Sequence, residues 1–151
     1  MLVMSVLLAT ACGGGGSNGA AKAAYLSQAE AICSEANAEK KALKTPLSTT
    51  EFAAFAEKAV AIVDHTTSRL AALSPPAGDR AALTSHVFAP LRGQLVVAHA
   101  YVAEVQTAAR HHDQPALIRL LGNPPTQTKA DLRWMAKYGF KDCVKAADTS
   151  G

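Results

Sequence analysis

Aromatic side chains are scarce in this chain, at 5% of its residues. Strands favour aromatic and β-branched residues. No stretch here alternates apolar and polar residues over a strand's length, so no sheet is expected. Charge is also low, with Asp, Glu, Lys and Arg at 18% against the usual quarter or so. The formal net charge of +3 lacks the dense basic clustering that nucleic-acid binding calls for. Catalytic signatures are missing: there is no Gly-x-Ser-x-Gly elbow, His-Glu-x-x-His, phosphate-binding glycine loop or Cys-x-x-Cys. What is abundant is alanine, the leading member of a hydrophobic set that reaches 49%. Alanine is the best helix former and a poor core filler, which points to closely packed helices in a single domain.

The first eleven residues, Met1 to Ala11, are uncharged and almost wholly apolar, yet too short for the roughly 20 residues that span a bilayer. They suit the apolar end of a secretory signal. Leu8-Ala9-Thr10-Ala11-Cys12 resembles the lipobox of bacterial lipoproteins, in which small residues precede a cysteine that is acylated and becomes the new N-terminus. Ala9 departs from the leucine usual there. The resemblance implies lipidation at Cys12, a signal peptide over 1–11 and an extracytoplasmic, membrane-anchored address. Gly13 to Gly19 has no side chains able to build a core, so 12–22 reads as a lipidated cysteine plus flexible tether, with the domain over 23–151. No Lys or Arg precedes Cys12, so the basic start of a signal peptide is expected upstream of Met1. The alternatives are a soluble protein with an apolar N-terminus, or an engineered linker.

Three cysteines would leave one unpaired in an oxidising compartment. If a lipid consumes Cys12, Cys33 and Cys143 remain as a pair. Their disulfide would close a loop of roughly 110 residues, contributing about 4–5 kcal/mol in the chain-entropy model. Two buried free thiols in a cytosolic helical protein are the alternative.

Helix signals follow in order. Ser27 and Glu30 form a Ser-x-x-Glu capping box ahead of Ile32, Cys33 and Ala36, and Pro46 ends this first helix. Ser48 and Glu51 form a second box, with Leu47 and Phe52 placed for a hydrophobic staple. The stripe then runs through Phe55, Ala59, Ile62, Val63, Leu70 and Leu73 to Ser74-Pro75-Pro76. A third helix is expected over about 79–112, kinked near Pro90 and Gly93 or broken in two there. Asp113 caps a short helix closed by Gly122. A last helix covers about 126–138, ended by Gly139 with Phe140 folding back onto Met135. The expected fold is all-α: an antiparallel bundle of four main helices plus one short helix.

Ala29-Glu30-Ala31-Ile32-Cys33, Leu73-Ser74-Pro75-Pro76 and Tyr138-Gly139-Phe140-Lys141-Asp142-Cys143 together resemble a group of small secreted or lipid-anchored proteins typical of actinobacteria. The resemblance spans Tyr25 to Cys143. It implies the helical fold and the Cys33–Cys143 pairing, and it supplies no catalytic residues or cofactor.

His65, His86, His99, His111 and His112 lack the His-x-x-x-His or Glu-x-x-His spacing that puts metal ligands on one helix face, so surface or structural roles are expected, with His99 partly buried. Lys129, Arg133, Lys137, Lys141 and Lys145 recur every four residues. They read as a solvated face, or as a stripe resting on anionic head groups. The functional expectation is a non-enzymatic envelope protein that docks another envelope component. The alternative is a bundle that binds a small ligand or metal in a pocket near Pro90.

Overall fold

The structure, a computed structural model, describes residues 16–125 and 131–148. Every regular element among them is helical. The first helix, α1 (Gly16–Ala42), begins well before Ser27 and takes in residues 16–22, read from sequence as tether. Ala20, Ala21, Ala23 and Ala24 favour helix strongly, and the turn after them is anchored by burial of Tyr25. The buried face continues through Ala29, Ile32, Cys33 and Ala36 at three- and four-residue steps.

Ser27 therefore sits exposed inside the helix, and the capping box proposed there does not form. Glu30 caps a different helix. Its carboxylate accepts from the backbone N–H groups of Lys141 at 2.9 Å and Asp142 at 2.6 Å. Those groups open α7 (Asp142–Asp148), a helix without a sequence forecast. Asn37 and Lys40 continue the seam, donating to the carbonyls of Asp142 and Ala146 at 3.1 and 2.8 Å. Between these contacts the sulfurs of Cys33 and Cys143 lie 2.02 Å apart, with their Cα atoms 4.9 Å apart.

Helix α2 (Thr49–Ala72) starts at Ser48, whose hydroxyl accepts from Glu51 N at 3.2 Å. The Glu51 carboxylate reaches back to Leu47 N at 2.8 Å, one residue earlier than the reciprocal box requires. The staple is not made, for Leu47 is 91% exposed. Phe52 instead stacks beside Phe55 and packs on the distal core.

The expected third helix runs without a gap from Arg80 to Arg110 but changes its winding on the way. Short α3 (Arg80–Leu83) passes into a π turn (Thr84–Phe88) and then α4 (Ala89–Arg110). Within the turn Ala89 N–H donates to Thr84 O, five residues back. Pro90 has no N–H to offer the next carbonyl, which makes the wider turn inexpensive at this point. Asp79 precedes α3 without a side-chain cap bond, its carboxylate engaged by Tyr138.

Asp113 opens α5 (Gln114–Gly122) by accepting from Ala116 N at 3.0 Å, as anticipated. Asp131 does the same for α6 (Leu132–Tyr138) through Trp134 N at 2.9 Å. The forecast start of that helix near residue 126 lies outside the described residues. At its end Gly139 has φ +121°, and Phe140 N donates to Met135 O at 3.0 Å. A side chain at Gly139 would be strained by that φ, and its Cβ would meet Leu26 Cδ1 at 2.9 Å. The reversal drops Phe140 into the core and returns the chain to α1 at Cys143.

Two buried clusters result. The larger joins α1 to the π turn, α6 and Cys143, with Tyr25, Ile32, Leu83, Val87, Met135 and Phe140 among its members. The smaller gathers Val105, Ala108, Leu117 and Leu120 where α4 meets α5.

Candidate functional site

An open groove of about 520 Å³ runs between α2 and α4, closed on one side by the last turn of α1 and bordered by Pro124 and Pro125. One wall is the α2 face carrying Phe52, Phe55, Ala56, Ala59, Val60 and Val63. That is much of the stripe expected to be core, yet most of these residues are only half-buried. The opposite wall is the α4 face Leu95, Val97, Ala98, Tyr101 and Val102. Alanine at 56, 59 and 98 explains the vacancy. Methyl groups on facing helices leave room that larger side chains would close. The span from Phe52 to Val63 is about 17 Å at ~1.5 Å per residue.

Polar groups in the groove are few. Tyr101 donates its hydroxyl to Leu120 O at 2.9 Å, and burial holds that phenol above its ordinary pKa. Lys40 lies at the α1 side, where burial pushes its ammonium below the usual lysine value. Along α4 the groove begins at Gln94, one turn beyond Pro90.

A second cluster stands on the π turn. His86 stacks on Trp134 at 4.7 Å, Trp134 on Tyr138 at 4.9 Å, and Tyr138 on Phe140 at 5.3 Å. Asp131 accepts from Trp134 N and pairs with His86 Nδ1 at 3.2 Å, and these contacts hold its carboxyl below the ordinary value. Tyr138 gives its hydroxyl to Asp79 at 2.6 Å, and Lys22 Nζ lies 4.0 Å above its ring. Burial, then the hydrogen bond and charge of Asp79, raise the Tyr138 phenol well above its usual range. These contacts fasten α6 to the π turn and to α1.

Of the residues singled out from sequence, Cys12 lies outside the described residues, while Cys33 and Cys143 are brought together. The histidines do not converge, and no group of three or more His, Cys, Asp or Glu side chains among the described residues could hold a metal. His99, expected partly buried, is 55% exposed at its side chain and stands 3.6 Å from Asp64. The basic stripe is split by Gly139: Arg133 and Lys137 ride on α6, Lys145 on α7 beside Asp142, and Lys129 lies outside the described residues. No helix among the described residues is long and apolar enough to cross a membrane. Comparison with protein-family models, curated proteins and solved structures finds no match to this chain.

Proposed function

We propose that this chain is a lipid-anchored, extracytoplasmic, non-enzymatic binding protein whose helical domain holds an apolar guest in the groove between α2 and α4. One observation carries the reading: two apolar helix faces line about 520 Å³ of open space, with only a few polar groups at its borders. Ligand sites are typically apolar clefts of roughly 300–1,000 Å³ with a few placed polar groups. Ten buried methylenes would contribute about 8 kcal/mol before ordering costs, which is the scale of micromolar binding. The anchor rests on the lipobox resemblance at Cys12 and on the odd cysteine count. Antiparallel packing of the four main helices, bent near Pro90, is the architecture this reading adopts; the Glu35–Arg69 and Asp64–His99 pairs support it.

The test is a titration of the purified full chain with 1-N-phenylnaphthylamine, an uncharged dye that brightens in apolar surroundings. Saturable enhancement is expected, and it should vanish when Ala59→Trp and Ala98→Trp fill the space. A wild-type protein that leaves the dye dark overturns the reading. For the anchor, Cys12→Ala should move the protein out of the detergent phase, and unchanged partitioning rules out lipidation there.

Docking of another envelope protein is the second reading, favoured by Ile118 and Leu121 on α5, which are 65% and 41% exposed. In-cell cross-linking through α5 should give a single adduct that Ile118→Lys abolishes; its persistence would remove that reading.

A further inference from the structure

We propose that the guest is a long-chain fatty acid, its single acyl chain lying along the groove and its carboxylate met by Lys40. The proposal rests on the reading of the groove as an apolar binding site and adds the class of ligand. Volume argues for one chain. At ~30 Å³ for a water-sized group, 520 Å³ has room for about seventeen such groups, the scale of one acyl chain. Charge argues for the head group. Among the described residues lining the groove, Lys40 alone carries a charge. A carboxylate would pair with that ammonium, whereas a neutral guest would not.

Geometry makes Lys40 suited to the task. Its Nζ is held by Ala146 O at 2.8 Å, so one of three N–H donors fixes the ammonium against α7 while the charge remains for an anion. That contact holds the end of a groove-lining side chain against α7, instead of leaving it to sweep through water. Burial already disfavours the ammonium, and an incoming carboxylate would restore what the protein environment withholds.

The experiment compares two probes on the purified full chain: cis-parinaric acid and its methyl ester, which share the fluorescent chain and differ in the head group. The acid should bind about tenfold more tightly than the ester. Lys40→Met, which keeps the length of the stem, should weaken the acid to the level of the ester and leave the ester unchanged. Lys40→Arg should retain the preference. Equal affinities for acid and ester in the wild type overturn the proposal while leaving an apolar site standing. So does a preference that survives Lys40→Met. Failure of both probes and of the uncharged dye would remove the site itself. Should the Met variant fold poorly by circular dichroism, the wild-type ratio and the Arg variant still decide.

Discussion

The same helix, α2, behaves differently at its two ends. Near its C-terminus Leu70 is 6% exposed and belongs to the large cluster that Tyr25, Leu83 and Phe140 complete. Toward its N-terminus Phe52 and Phe55, larger and equally apolar, are only half-buried and face open space. The difference lies in what stands opposite. At the closed end, the π turn, α6 and the disulfide-bonded α7 press bulky side chains into one another. At the open end, alanines at 56, 59 and 98 leave space between the larger side chains of the two faces. Apolar periodicity therefore announces a face that avoids water; the partner decides whether that face becomes core or binding surface.

Breaking the closed end should have the largest effect. Replacing Cys33 and Cys143 by serine frees a chain segment of 110 residues. The chain-entropy model puts the loss at about 4–5 kcal/mol, to be read as a shift of the urea midpoint against the wild type. If the doubly substituted protein unfolds at the wild-type midpoint, the covalent tie is not what distinguishes this end.

A matched pair of truncations sharpens the contrast. Leu83, fully buried, should cost about 3 kcal/mol on Leu83→Ala, within the usual range for core leucines. Phe55→Ala should cost about 1 kcal/mol or less despite removing more atoms, since its ring already borders open space. Equal losses would mean that the groove is closed in solution.

Tyr138→Phe removes the hydroxyl given to Asp79 and should cost about 1.5 kcal/mol at neutral pH, as for hydrogen bonds to charged groups. It also has a pH signature. The folded phenol binds its proton more tightly than the unfolded one, whose ordinary value is 10.0. Its stabilisation is complete below that value and is lost as pH rises through the alkaline range. The wild type should lose stability there, and the phenylalanine variant should show a shallower alkaline decline in melting temperature. The smallest effect, about 1 kcal/mol, is expected of Glu30→Gln, which weakens the charged cap on α7 without unseating the disulfide. Thermal melts with the disulfide intact would measure it.

Much of the helical plan was legible because it is written in local chemistry. Ser48 and Asp113 cap through side chains that reach only three residues ahead, and Gly139 takes a backbone conformation that few other residues accept. The pairing of Cys33 with Cys143 follows from counting only on the supposition that a lipid takes Cys12. What local sequence does not carry depends on residues far apart in the chain. Glu30 looked like half of a local box, but its partners lie more than a hundred residues away. Leu47 and Phe52 had the right spacing for a staple, and Phe52 found the α4–α5 cluster instead. The groove had one faint signal, alanine at 56, 59 and 98 among larger apolar residues. Only the facing of α2 and α4 turns those small side chains into a cleft.

The covalent bond between α1 and α7 has a bearing on how the groove stays together. Every residue that borders the groove, from Lys40 to Pro125, lies on the stretch of backbone enclosed by Cys33 and Cys143. The chain is thus a hoop, and the cleft is built wholly from its free arc. Even a single protease nick within the arc would leave both fragments tied together until a reductant cut the hoop.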